Sequence, residues 1–280
     1  MPDRELDLQA YFDRIGYRAA VAANAAVLQQ LHWLHVSSIP FENLDVLLGR
    51  PILLDTPALA AKLVAARRGG YCFEQNGLFL AVLRAIGFTA EAFAARVWWA
   101  RQDASVPPRS HMLLRVDCPD GSYLCDVGFG GLTPVQPLSW RMEIEQPTSH
   151  ETYRLVTDAV PGELALQARL EEKWATVYSF LPQPAAPADF EVANWYVSTH
   201  PGSFFTEAII ATRPFTDGRH VLQDRKVTVR ARDRSEQTTT LTGPADLRAT
   251  LLESYSLALG QADLDVLWAR LAPKSGSETA

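Results

Sequence analysis

The chain has 280 residues, 48% of them hydrophobic and 21% charged, which is enough apolar mass for a sizeable core in two or three subdomains and argues against a disordered polymer. Lys and Arg number 26 against 32 Asp and Glu, a formal net charge of −6 with no basic run, so nucleic acid is not the expected partner. Three cysteines, a charged start (Met1-Pro2-Asp3-Arg4-Glu5) and no run near the roughly 18 apolar residues of a spanning helix predict a cytoplasmic protein with no disulfide framework and no membrane partner.

The first third reads as helices. Leu8, Tyr11, Phe12 and Ile15 recur at helical spacing up to Gly16, and Val27, Leu28, Leu31 and Leu34 do so behind an Asn24 cap. Thr56 before Pro57 predicts a cap and a first-position proline for a helix that buries Leu59, Leu63 and Val64. Arg67 and Arg68 close it ahead of Gly69-Gly70, and the next helix runs from Cys72 to a stop at Gly87. The pattern then turns to strands over 93–99, 112–116, 123–127, 153–157, 164–170 and 176–180, a small barrel or open β-layer. Residues 181–187, with three prolines, read as a linker into a helix over 189–197. The last part mixes strands (221–230, 238–242) with helices (245–259, 264–271) and a frayed tail from Lys274.

One segment, Arg67-Arg68-Gly69-Gly70-Tyr71-Cys72-Phe73-Glu74, sets a thiol at the start of an apolar helix. Unpaired N–H groups and the helix dipole favour a thiolate there. A cysteine nucleophile needs a base, and the base needs an orienting acceptor. His111 and Asp126 lie in two strand-like runs around Asp117-Cys118-Pro119-Asp120. If those four residues form the hairpin loop, Val116 faces Gly121 and His111 falls opposite Asp126. Cys118 and Cys125 read as small buried hydrophobes, and His32, His35, His150, His200 and His220 as structural residues. No His or Cys pattern has metal-ligand spacing, and Gly128-Phe129-Gly130-Gly131 fits neither a dinucleotide fingerprint nor a P-loop.

The segments Arg68-Gly69-Gly70-Tyr71-Cys72-Phe73-Glu74, His111-Met112-Leu113-Leu114 and Asp126-Val127-Gly128-Phe129-Gly130 resemble the arylamine N-acetyltransferase family. Pro40-Phe41-Glu42-Asn43-Leu44-Asp45 and Pro201-Gly202-Ser203-Phe204-Phe205-Thr206 match it too, and the likeness runs to about residue 212. The resemblance implies an α+β fold: a helical bundle over 1–88 carrying the nucleophile, an antiparallel β-barrel over 89–188 carrying His111 and Asp126, and an α/β lid over 189–280. It implies ping-pong acetyl transfer from acetyl-CoA through Cys72 to an arylamine or hydrazine, with His111 as base, Asp126 orienting it, and no metal. Trp99, Gly130 and Gly131 would face CoA. Phe129 and Phe205 would face the acceptor, and Glu42 with Arg68 would form an ion pair beneath the site. An amide synthase or cysteine hydrolase on the same scaffold, or a silent protein that binds CoA or an aromatic ligand, are the competing readings.

Overall fold

The computed structural model describes residues 6–271 apart from 102, 104 and 159, so the charged start and the tail expected to fray lie outside the described residues. Helix α1 (Leu8–Ile15) is capped by Asp7 and stops at Gly16, φ 76°, in the left-handed region. Helix α2 (Ala25–Ser38) begins as expected, with the Val27 N–H donating to Asn24 Oδ1 at 3.0 Å. A short strand β1 (Phe41–Glu42) and a turn of helix α3 (Leu44–Leu47) follow. Helix α4 (Thr56–Leu59) departs from the sequence reading: Asp55, not Thr56, is the cap, because its carboxylate reaches the Ala58 amide at 3.0 Å. The chain widens into a π-turn over Ala60–Ala65 and Arg67 turns at φ 52° before helix α5 (Cys72–Ile86).

Strands β2 (Thr89–Val97), β3 (Arg109–Cys118), β4 (Gly121–Cys125), β5 (Leu138–Ser139), β6 (Gln146–Pro147), β7 (Thr152–Thr157), β8 (Leu164–Leu170) and β9 (Lys173–Phe180) make one antiparallel sheet, ordered β5-β4-β3-β2-β9-β8-β7-β6. Its two edges are bridged by one side chain. Gln146 on β6 accepts from Ser139 N at 2.6 Å and donates to Ser139 O at 2.9 Å on β5, nearly closing a barrel. Strand alternation sorts the packing: Phe93, Leu113 and Leu124 fill the barrel, while Ala90, Ala92, Met112, Leu114 and Val116 point the other way, into the core that holds Phe73, Leu78, Phe79, Val82 and Leu83 of α5.

Helix α6 (Pro187–Thr199) leads to a second sheet of β10 (Ile210–Phe215), β11 (Gly218–Gln223), β12 (Lys226–Ala231) and β13 (Glu236–Thr240). Its first strand is β1, so the N-terminal third supplies an edge to the C-terminal sheet. Helices α7 (Pro244–Tyr255) and α8 (Gln261–Arg270) share a core with this sheet. The single strand expected over 221–230 is a hairpin in which Gln223 pairs with Lys226 and Asp224 sits at φ 52°, a conformation that aspartate tolerates.

The β3–β4 hairpin also differs. Cys118 pairs with Gly121 and Val116 with Tyr123, so only Pro119-Asp120 turn the chain, with Gly121 at φ 144°. That register is two residues from the expected one. A slip of two preserves which face each side chain takes, whereas a slip of one would have separated His111 from Asp126.

Candidate active site

Cys72 opens α5, 4% exposed, and its approach is set by backbone contact. Neither Gly69 nor Gly70 has a positive φ. A Cβ on Gly69 would lie 2.2 Å from the Pro40 carbonyl oxygen and one on Gly70 would lie 2.7 Å from the Glu74 carboxylate, so both positions need glycine for close approach. Glu74 Oε2 accepts the Tyr71 N–H at 3.1 Å, and Gln75 Nε2 donates to Pro40 O at 2.8 Å and Gly70 O at 3.2 Å. His35 holds Gln75 in turn, Nε2 to Oε1 2.8 Å, the structural role expected of it. Tyr71, fully buried, donates its hydroxyl to Asn194 of α6.

His111 Nε2 lies 2.8 Å from Asp126 Oδ2, with both side chains buried. A carboxylate only accepts, so Nε2 carries the proton and Nδ1 is the lone pair of the neutral ring. The other carboxylate oxygen, Oδ1, accepts from Asn76 Nδ2 at 3.0 Å and from the Gly128 amide at 2.9 Å. Burial works against the charge of Asp126, but His111, Asn76 and the Gly128 amide outweigh it and hold the carboxyl below its usual range. Asn76 also donates to Met112 O at 2.7 Å and accepts from Val127 N at 3.0 Å, tying α5 to both strands of the hairpin. The imidazole is flanked by Phe129, edge-on at 5.2 Å, and Tyr178, tilted at 5.0 Å.

The Cys72 thiol has a partner of its own on β3. Its hydrogen bond goes to the Ser110 carbonyl, Sγ to O 3.7 Å, rather than to the imidazole. Burial pushes it well above the ordinary thiol range and the Asp126 carboxylate adds to this, against the downward pull of the Met112 and Phe73 backbone.

Cys72 and His111 share a cavity of about 560 Å³ with all five residues expected to bind substrates: Trp99, Phe129, Gly130, Gly131 and Phe205. Asp126 stands behind His111, outside that lining. A Cβ on Gly128 would come 2.8 Å from Cys72 Cα, so this loop touches the nucleophile's own backbone. Asn43, in the Pro40–Asp45 motif, donates to Phe205 O at 2.9 Å and Ala208 O at 2.7 Å and accepts from Ile210 N at 2.9 Å. Sequence reasoning assigned no role to Asn43, Gln75, Asn76 or Tyr178. The available signal was polar residues on a buried helix face, since Asn76 follows Cys72 by one turn.

Beneath the helix start, Arg68 meets Glu42 at 2.8 Å, as the family likeness implies, and also Asp45 at 3.1 Å. Lys62 joins Asp45 at 2.9 Å and Glu74 at 2.6 Å. Cys125 is fully buried and Cys118 half-buried, and neither lines the cavity.

The profile of the N-acetyltransferase family matches residues 24–264. The arylamine N-acetyltransferase of Mycobacterium tuberculosis (strain ATCC 25618 / H37Rv) is 50% identical over 228 residues, 80% of this chain and 80% of the relative. A Salmonella typhimurium relative named arylamine N-acetyltransferase / N-hydroxyarylamine O-acetyltransferase is 43% identical over 211 residues, 75% of this chain and 74% of its own. The solved structure of Mycobacterium marinum arylamine N-acetyltransferase in complex with CoA has a TM-score of 0.88 at 38% identity, covering 95% of this chain and 98% of that one. Shared sequence over most of the chain and a shared fold over nearly all of it make this protein a member of the arylamine N-acetyltransferase family.

Proposed function

We propose that the chain transfers the acetyl group of acetyl-CoA to arylamines, arylhydrazines or N-hydroxyarylamines through an acetyl-Cys72 thioester. The observation that carries this is the His111–Asp126 bond at 2.8 Å in the wall of a cavity that Cys72 also lines. Losing the thiol proton to water would leave two negative charges, sulfur and Asp126, in one buried place. Moving it to His111 Nδ1 leaves the summed charge unchanged, so the thiolate arises together with an imidazolium. The high position of the lone thiol and its reactivity are then compatible.

The thiolate attacks the thioester carbonyl, the C–S bond to CoA breaks, and the imidazolium proton goes to the departing CoA sulfur. The amine nitrogen next attacks acetyl-Cys72, His111 Nδ1 takes a proton from it, and the Cys72 thiolate leaves, which restores the ion pair. The Cys72 N–H, first in α5 and without an intrahelical acceptor, serves as an oxyanion donor. Trp99, Gly130 and Gly131 take the CoA side, in keeping with the CoA complex of the M. marinum relative, and Phe129 and Phe205 give the acceptor ring flat apolar walls.

Residues 1–88 thus supply the nucleophile, 89–188 the base and its carboxylate, and 189–280 the covering layer. Three unpaired cysteines support a reducing, cytoplasmic setting, and among the described residues no helix is long and apolar enough to cross a membrane. Incubation with acetyl-CoA alone should add about 42 Da to the Cys72 peptide, the mass of one acetyl group on the covalent intermediate, and an aniline should then remove it. An unmodified thiol would end the proposal. Free acetate as the main product in the presence of amine would move it to a cysteine hydrolase.

A further inference from the structure

Arg219, on β11, is 1% exposed and reaches out of the C-terminal sheet into the loop that follows Asp126. Its Nη1 donates to Gly130 O at 3.2 Å, and its Nη2 donates to Thr133 O at 3.0 Å and to Glu151 Oε2 at 3.3 Å. Among the described residues its Nε has no partner. A guanidinium beside a carboxylate ordinarily forms a two-pronged pair. This one forgoes that pairing and spends its donors on two main-chain carbonyls instead. Thr133 completes the clamp, its N–H donating to Gly130 O at 3.1 Å and its Oγ1 accepting from the Gly130 amide at 2.6 Å. The contact is returned from the barrel side, where His150 Nε2 donates to Gly218 O at 2.9 Å and Phe215 O at 3.1 Å at the β10–β11 turn.

We propose that Arg219 is a positioning residue for the donor side of the cavity: by holding the Gly130 carbonyl, it presents the Gly131 N–H to CoA. In a trans peptide the carbonyl and the following N–H point in opposite directions. Fixing the oxygen of Gly130 against Arg219 therefore aims the Gly131 N–H away from Arg219, and Gly131 lines the cavity. Among the described residues that N–H has no hydrogen bond within the protein. Gly130 itself stands at φ 87°, one of many backbone states open to glycine, and its bonds to Arg219 and Thr133 select it. The ligand class is an acyl carrier with amide or phosphate acceptors, and the inference rests on the acetyl-CoA reading above.

Two measurements test it. In the parent protein, saturating CoA without an acetyl group should slow amide exchange at Gly131 by at least about tenfold, as a new hydrogen bond does. CoA that binds yet leaves Gly131 exchange unchanged would overturn the inference, whereas CoA that does not bind would strike the acetyl-CoA reading instead. In Arg219→Lys, which keeps the charge but cannot span the three acceptors, KM for acetyl-CoA should rise about tenfold. Acetylation of Cys72 by p-nitrophenyl acetate, which has no carrier chain, should stay within about twofold of the parent. Equal losses with both donors would make Arg219 a structural residue only. Should the variant fail to fold, the Gly131 exchange result decides.

Discussion

Two buried charge systems flank the start of α5, and they are finished differently. On one side both oxygens of Asp126 accept hydrogen bonds, yet among the described residues His111 Nδ1 makes none. On the other, Glu42, Asp45 and Glu74 interlock with Lys62 and Arg68, and Arg50 closes the rim by bridging Asp45 at 3.2 Å and Asp263 at 2.7 Å. The first system keeps one position open for a proton in transit. The second turns its charged groups on one another rather than on the cavity, and its effect is to fix the ground on which Cys72 stands. Charge burial alone does not mark a catalytic group; an unengaged lone pair beside a cavity is the better pointer.

Substitution should separate the two. The largest effect expected is on chemistry: His111→Ala should cut turnover per folded molecule by at least about 10³-fold, as read by CoA release with calorimetry giving the folded fraction. A variant retaining a tenth of the parent rate would erase the distinction. Next, Arg68→Met leaves the buried Glu42 without its cation and Asp45 with only Lys62 and Arg50, and should cost about 3–5 kcal/mol of stability in urea unfolding. The folded fraction should still become acetylated at Cys72.

A smaller effect concerns pH. The lower system sets three carboxylates against two buried cations, and the surplus falls on Glu74, which burial raises from 4.5 to about 7. The folded chain holds this proton where the unfolded chain releases it. The stability that it contributes is therefore complete below pH 4.5 and is lost as pH climbs to about 7. Between about pH 5 and about 7 the melting temperature of the parent should fall by at least about 2 °C relative to Glu74→Gln. Parallel curves would show that Lys62 neutralises Glu74 fully. Asp45 and Asp126, both held below their usual 3.8, act in the opposite sense: their contribution is complete above 3.8 and is lost as pH falls below it, through their lowered folded-state values. The smallest effect belongs to the exposed pair Arg230–Glu236, 2.6 Å apart, where Glu236→Ala should change stability by less than about 0.5 kcal/mol.

How much of this was legible follows from where each signal lies in the chain. Cys72, His111 and Asp126 stand in local motifs, and the meeting of His111 with Asp126 survived a misread hairpin because the error was even. The caps at Asn24 and Gly87 were legible for the same reason, since capping uses neighbours in sequence. What was not legible depends on distant partners. Nothing near Phe41 announces that it pairs with Thr212, and nothing near Arg219 points to Gly130. The hairpin at Asp224 was readable from the polar run Gln223-Asp224-Arg225-Lys226 between Val221-Leu222 and Val227, a break that a single strand over 221–230 passes over. The raised thiol was beyond reach, because burial is a property of the finished core.

The glycine at 128, pressed against the main chain of the reactive cysteine, has a bearing on redesign. Even one methyl group there would displace the sulfur or the loop, so libraries aimed at bulkier acyl donors should hold that codon constant. Diversity belongs instead at Val97, Thr212 and Val221, which line the same cavity from strands β2, β10 and β11.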